Sequence, residues 1–336
     1  MQNRRIVLAS RPEGAASLQN FRLESVPAPE PGPGQLLLRT RWLSLDPYMR
    51  GRMSAGPSYA APVEVGEVMT GGTVSEVVQS RAEGFSPGDL VASGAGWQEL
   101  AVADAAQAPK LDPHLERPSW ALGVLGMPGL TAWHGLLDIG RPKAGETVVV
   151  AAATGAVGSV VGQIARIKGC RAVGIAGGPD KQRHAVEVLG FDACVDHRAA
   201  DLADQLKAAC PKGIDVYFEN VGGPVLGAVL PLLNDHARVP LCGVIAAYNT
   251  SNPDASGVSA DQLLRAFLIH RVKLQGFLVS DAFARMGEFR REMNAWLAAG
   301  EVRYVEHVTK GLENAPAAFL GMLKGENLGK AIVELA

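Results

Sequence analysis

The stretch VVVAAATGAVGSVVGQIA (148–165) has the pattern of a buried strand, a tight turn and a helix. In such a turn, Gly155 lets the backbone approach a pyrophosphate closely, and Gly158 lets the helix pack near the strand. The free N–H groups at the helix N-terminus then bind the phosphate. An alanine, Ala152, stands where the first glycine of a dinucleotide-binding turn usually stands. The spacing predicts a dinucleotide site formed by Ala152, Gly155, Ala156, Val157 and Gly158.

Strand and helix patterns alternate from Glu146 onward, with six β-rich runs separated by helical segments. Gly169 and Gly190 follow two of the helices, as C-terminal glycines do, and Asp180 is predicted as a helix N-cap. This alternation predicts an α/β fold with a doubly wound parallel Rossmann sheet.

The first third of the chain has short strand patterns between Gly- and Pro-rich turns, which predicts a small β domain. After the last long helix the pattern becomes mixed again, and we expect the final strand to return to this first domain. The expected domains are residues 1–127 with 304–336, and residues 128–303.

Composition narrows the function classes. Of 336 residues, 47% are hydrophobic and 20% are charged, and the formal net charge is −2, which favours a globular protein without a nucleic-acid or membrane surface. The chain has no signal-peptide pattern, and we expect a cytoplasmic location. The four cysteines are dispersed and the histidines lack metal-ligand spacing, so we expect no metal site.

The end of the predicted second strand bears on cofactor choice. NAD enzymes usually have an acid there for the ribose hydroxyls. In VGIAGGPDK (173–181), Gly177 and Gly178 occupy this place and Lys181 follows. A carboxylate would repel a ribose 2′-phosphate, whereas an ammonium attracts it. The segment therefore favours NADPH over NADH.

Several longer motifs carry a family resemblance. LSLDPYMRGRM (43–53), GIDVYFENVGG (213–223), CGVIAAYN (242–249) and GENLGKAIV (325–333), together with the glycine turn, resemble the zinc-independent medium-chain dehydrogenase/reductase family. Within it, the chain resembles the NADPH-dependent alkenal, leukotriene and prostaglandin reductases over nearly its whole length. The resemblance implies an N-terminal GroES-like domain rejoined by the C-terminal segment, an active site in the interdomain cleft, and a homodimer.

The resemblance also implies roles for individual residues. Lys181 would bind the 2′-phosphate, Asn220 and Tyr248 would line the nicotinamide half, and Phe277 and Val279 would contact the nicotinamide through their backbone. Asn327 would also contact the cofactor. The sequence departs from the family at His197, where relatives often have a tyrosine.

The chemistry expected is reduction of a C=C bond conjugated to a carbonyl, as in enones, alkenals or curcuminoids. Hydride would go to the β-carbon, and a hydrogen-bond donor would stabilise the enolate before the α-carbon is protonated. Tyr248 is the candidate donor, and Tyr48 is a second candidate for positioning substrate. Arg50 and Arg52 are interpreted as structural, and His134 as a packing residue.

Two alternatives remain open from the sequence: an NADPH quinone reductase, and a non-catalytic NADPH-binding protein. The physiological substrate, the dimer contact and the role of His197 do not follow from it. The polar loop at 248–260 is a candidate cover over the substrate.

Overall fold

A computed structural model describes residues 1–249 and 257–335. The chain forms two compact units, Met1–Gly123 with Glu306–Ala336, and Val124–Val305.

The first unit is built mostly on antiparallel strand pairs, with one parallel pair near the C-terminus, and contains both chain ends. Its larger sheet has the order β13-β14-β3-β4-β5, with β6 also paired to β3, and β1 and β2 form a separate pair. The strands are β1 (Gln2–Leu8), β2 (Phe21–Pro27), β3 (Gln35–Ser44), β4 (Thr73–Ser80), β5 (Leu90–Ser93), β6 (Leu100–Asp104), β13 (Glu306–Lys310) and β14 (Lys330–Glu334); the helices are α1 (Tyr48–Arg52) and α9 (Ala315–Leu323).

The C-terminal segment joins this unit as the sequence predicts. Strand β14 pairs antiparallel with β3, aligning Ile332 with Ser44. Phe319 of α9 packs edge-on against Trp97, and the Trp97 ring stacks on Phe21 with centroids 5.6 Å apart. These rings lie in one buried core, so burial of apolar surface holds the two chain ends together.

The second unit contains a parallel sheet with the order β12-β11-β10-β7-β8-β9. Its strands are β7 (Thr147–Ala151), β8 (Arg171–Ala176), β9 (Ala193–Asp196), β10 (Ile214–Phe218), β11 (Leu233–Leu241) and β12 (Lys273–Gly276); its helices are α2 (Met127–His134), α3 (Gly158–Ile167), α4 (Pro179–Arg183), α5 (Leu202–Ala209), α6 (Gly223–Val229), α7 (Ala260–His270) and α8 (Met286–Ala298).

The order of these strands identifies the ligand-binding edge. The chain runs from central β7 through β8 to β9 at one side, and then from β10 through β11 to β12 at the other. Ligands of such sheets bind where the order reverses, outside the carboxyl ends of β7 and β10. The fold class predicted from the alternating pattern is therefore confirmed.

Two local predictions need correction, and two strands were missed. Asp180 is not the N-cap of α4: Gly178 is, with φ of +87°, so Asp180 lies in the first turn. The run IDVYFENVG (214–222) predicts a strand through Gly222, but β10 ends at Phe218; Glu219 adds only a single bridge to Leu241, and its side chain accepts the N–H groups of Val221 and Gly222. Strands β1 and β2 were not predicted at all.

None of the described helices combines the length and the apolar composition that crossing a membrane requires.

Candidate cofactor-binding site

The glycine turn follows the fully buried strand β7 and leads into α3. Ala152 has a φ of +53°, the left-handed conformation that glycine normally supplies. The Gly155 N–H donates to the Ala152 carbonyl at 2.9 Å, which closes the turn. A Cβ on Gly158 would overlap the Ala152 carbonyl, so the helix can begin this close to the turn only with glycine at Gly158. The turn thus has the cradle that a pyrophosphate requires.

The carboxyl end of β8 lies beside that of β9. A Cβ on Gly177 would be 2.7 Å from His197 Nε2 and 2.9 Å from Arg198 Nε, so both side chains occupy the space over Gly177. Any side chain at Gly177 would require both of these groups to shift. In this arrangement the place of the ribose-binding acid is taken by His197 and Arg198.

Positive charge accumulates at this edge. Burial, followed by repulsion from Arg198, lowers the pKa of Lys181. The same two causes lower the pKa of His197, so the imidazole is neutral near pH 7. The charge of Arg198 thus acts on both groups, and a dianionic phosphate at this edge would reduce that repulsion.

Asn220 lies at the point where the strand order reverses. Its Nδ2 donates to the Ala151 carbonyl at 2.8 Å, linking the end of β10 to the end of β7. Behind it, the buried Glu219 accepts hydrogen bonds at Oε1 from the N–H groups of Val221 (2.6 Å) and Gly222 (2.8 Å). Burial raises the pKa of Glu219 despite these bonds. Glu219 therefore shapes the turn that presents Asn220.

Tyr248 follows a short helical turn beyond β11. A Cβ on Gly243 would be 3.6 Å from the Tyr248 hydroxyl oxygen and 3.4 Å from the Asn220 carbonyl oxygen. Tyr248 and Asn220 thus come together across Gly243, although they are separated in sequence. Residues 250–256 of the predicted cover loop lie outside the described residues.

Phe277 and Val279 follow the last strand of this sheet. The Phe277 ring packs edge-on against His134 (centroids 5.6 Å apart) and Phe218 (6.2 Å). His134 also bonds Asp138 through Nδ1 at 2.6 Å, in agreement with its interpretation as a packing residue. Anchoring of the Phe277 ring fixes the backbone that leads into Val279.

Two predicted residues belong to the first unit. Tyr48 begins α1, and burial, followed by the charge of Asp46, raises its pKa, so the phenol stays protonated. Asn327 donates from Nδ2 to the Gly329 carbonyl at 2.7 Å. Arg50 donates to Ser54 Oγ (2.9 Å) and the Gly14 carbonyl (2.6 Å).

Sequence reasoning missed Arg198 and Glu219. The first stands directly after His197 in VDHR, so a second polar residue past a strand end was the available signal. The second is the acid of the ENVGG motif, directly after an apolar strand. An acid at such a position is rarely buried unless its carboxyl has hydrogen-bond partners, which was the available signal.

The residues present fit a phosphorylated dinucleotide. The glycine cradle at 152–158 fits a pyrophosphate, and the acid-free end of β8 fits a ribose 2′-phosphate. Within the described part of the chain, no three His, Cys, Asp or Glu side chains are grouped so that they could hold a metal ion.

Comparisons with known families agree with this arrangement. Residues 4–111 match the N-terminal domain of oxidoreductases, and residues 156–298 match a family described as zinc-binding dehydrogenases. The chain is 55% identical to the NADPH-dependent curcumin reductase of Escherichia coli, over 100% of this chain and 97% of the relative.

Two further relatives extend the comparison. The chain is 40% identical to prostaglandin reductase 1 of Bos taurus, over 96% of this chain and 95% of the relative. The crystal structure of CurA from Vibrio vulnificus in complex with NADPH is 53% identical, has a TM-score of 0.96 and is covered over 99% of both chains.

Proposed function

Because the chain belongs to the zinc-independent medium-chain dehydrogenase/reductase family, we propose that it is an NADPH-dependent reductase of C=C bonds conjugated to a carbonyl. Enones and alkenals are the substrate class, with curcuminoids among them. The names of the curcumin and prostaglandin reductases support this assignment. The observation that carries it is the glycine cradle beside a strand end that has cations in place of an acid.

The cofactor would lie along the carboxyl ends of the parallel strands. The pyrophosphate would be held by backbone groups of Ala152, Gly155, Ala156, Val157 and Gly158. Gly177, Lys181 and His197 would surround the 2′-phosphate. Further along, the cofactor would contact Asn220, Tyr248, Phe277, Val279 and, from the first unit, Asn327. When bound, NADPH supplies the hydride.

Tyr248 would donate a hydrogen bond to the substrate carbonyl oxygen. Negative charge develops on that oxygen as the β-carbon accepts hydride, and a neutral phenol stabilises this charge and aids protonation of the α-carbon. The position of Tyr248 beside Asn220, at the carboxyl edge of the sheet, supports this role. Tyr48, with its raised pKa, is a second protonated donor that would position substrate.

The chain would assemble as a homodimer through the outer edge of β12. All four residues of this edge strand are exposed, and it pairs only with β11 among the described strands. An unpaired edge is a template for another strand, and pairing with a second copy would satisfy it. The exposed apolar side chains of the same region are Leu264, Leu268, Ile269, Leu274, Leu278 and Phe283.

The function is tested by following NADPH absorbance with an enone, an alkenal, a curcuminoid and a quinone, with NADH as the alternative cofactor. We expect turnover of the enone-type substrates, a strong preference for NADPH, and no loss of rate with a chelator. Equal rates with NADH would contradict the cofactor assignment, and loss of rate with the chelator would contradict zinc-free chemistry.

The same assay separates the alternatives. Turnover of the quinone alone would indicate a quinone reductase. Tight NADPH binding with no turnover of any substrate would indicate a non-catalytic binding protein.

A further inference from the structure

We propose that Arg198 is a second cationic ligand of the ribose 2′-phosphate, acting together with Lys181 to select NADPH. This inference rests on the proposed cofactor and adds a specificity-determining residue to its site.

The position of the Arg198 side chain is the first argument. Its Nε would be 2.9 Å, and its Cζ 3.1 Å, from a Cβ on Gly177, and its Nη1 would be 4.0 Å from a Cβ on Gly178. The guanidinium therefore lies over the two glycines that replace the ribose-binding acid. A 2′-phosphate would bind next to this guanidinium, because the ribose binds at the end of the second strand of such sheets.

The neighbouring acids are already engaged elsewhere. The N–H of Arg198 donates to Asp196 Oδ1 at 2.9 Å, and the N–H of Gly178 also donates to this carboxylate. Although burial acts in the opposite direction, these bonds lower the pKa of Asp196. Asp180 pairs with Arg183 at 3.3 Å and is 91% exposed. Among the described residues, neither carboxylate forms an ion pair with the Arg198 guanidinium, although the Arg198 charge also helps to lower the pKa of Asp196.

The chemistry of the guanidinium is the third argument. Its planar N–H groups can donate two parallel hydrogen bonds to phosphate oxygens, whereas an ammonium acts as a point charge. Two cations held close together repel one another in the free protein, and a dianion between them removes this repulsion. Arg198 and Lys181 stand in this relation, because the charge of Arg198 contributes to the lowered pKa of Lys181.

Binding of two matched nucleotides tests the proposal without any turnover. Adenosine 2′,5′-bisphosphate carries the 2′-phosphate, and 5′-AMP lacks it. Titration calorimetry on the full chain would compare the wild type with Arg198→Gln, Arg198→Lys and Lys181→Gln. The control is Arg183→Gln, which removes an arginine at the end of α4 that pairs with Asp180.

We expect Arg198→Gln to weaken the bisphosphate roughly 10- to 100-fold, as loss of charge-assisted hydrogen bonds does, while 5′-AMP changes less than about twofold. Arg198→Lys should recover part of the loss, and Arg183→Gln should bind both nucleotides like the wild type. Circular dichroism would verify that each variant is folded.

Two results would overturn the proposal: unchanged bisphosphate affinity in Arg198→Gln, or an equal loss for both nucleotides. A loss in Lys181→Gln with none in Arg198→Gln would refute the role of Arg198 and leave the proposed function standing. A wild type that binds the two nucleotides equally would refute the NADPH assignment itself.

Discussion

Ala152 is the residue at which the sequence departs from the usual glycine turn, and its backbone is strained as a result. With φ of +53°, it adopts a left-handed conformation that brings Cβ too close to the following carbonyl oxygen. The sequence predicts the turn correctly, but only the backbone angle reveals that the alanine takes up the glycine conformation rather than avoiding it.

Replacing Ala152 with glycine should therefore stabilise the protein. Relief of the left-handed conformation, less the added freedom of the unfolded chain, should amount to about 0.5–1 kcal/mol. Ala152 is exposed, so no packing is lost. Denaturant unfolding followed by circular dichroism measures the change. The buried neighbour Ala153→Gly is the control and should be destabilised; a less stable Ala152→Gly variant would contradict the prediction.

Tyr248→Phe tests the proposed donor. Removing one hydrogen-bond donor to a developing oxyanion should lower kcat roughly 10²- to 10³-fold, with little change in NADPH binding. Steady-state kinetics with an enone and NADPH measure the effect, and Tyr304→Phe, outside the proposed site, is the matched control. An undiminished kcat would rule out Tyr248 as the enolate stabiliser.

At the scale of elements, the strands themselves are easier to predict from the sequence than the positions at which they end. Six strand patterns and the glycines that end their helices are readable from the sequence, because hydrophobic periodicity and turn residues are local properties. The strand ends are less readable. Strand β10 ends at Phe218, Glu219 continues the pairing as a single bridge to Leu241, and its buried carboxyl then accepts the N–H groups of Val221 and Gly222.

Glu219 leads to a prediction about how the stability of the folded protein changes with pH. Its pKa is raised in the folded protein above the usual 4.5, so the folded state holds the proton more tightly than the unfolded chain. The stabilisation that this contributes is fully present below pH 4.5 and is lost as the pH rises through the folded pKa. The uncharged Glu219→Gln variant lacks this dependence.

We therefore expect the stability of the wild type relative to Glu219→Gln to fall as the pH is raised from about 4.5, measured by denaturant unfolding at a series of pH values. Glu219→Ala should lose about 2–4 kcal/mol below pH 4.5, because the N–H groups of Val221 and Gly222 lose their acceptor, and this loss should shrink as the pH rises. A constant difference between wild type and Glu219→Gln would contradict a titrating Glu219.

At the scale of the molecule, distant segments complete each unit. In the first unit, the fully buried Lys330 of β14 donates from Nζ to the Leu45 carbonyl at 2.7 Å and pairs with Asp46 at 3.1 Å. The last strand thereby anchors the segment that leads into Tyr48. In the second unit, the exposed edge of β12 is the surface that we propose for dimer assembly.

The dimer proposal predicts that charges on this edge produce monomers. Leu268→Glu combined with Leu274→Lys places charges on two exposed apolar positions of α7 and β12, and would disfavour pairing of two edges. Light scattering coupled to size exclusion measures the mass. Leu18→Glu with Val308→Lys changes exposed apolar residues of the first unit and should leave the mass unchanged. A wild-type monomer, or a dimeric edge variant, would contradict the proposal.

By itself, the sequence determined the α/β class, the glycine cradle and the acid-free strand end, because periodicity and turn chemistry act over a few residues. Only the tertiary structure decided which strand ends are neighbours. Parallel strands separated by helices are ordered by packing and crossover rather than by adjacency in sequence. That ordering sets Arg198 over Gly177, and Tyr248 beside Asn220 across Gly243. These side-chain positions define the candidate site, and they depend on the order of all the strands in the sheet.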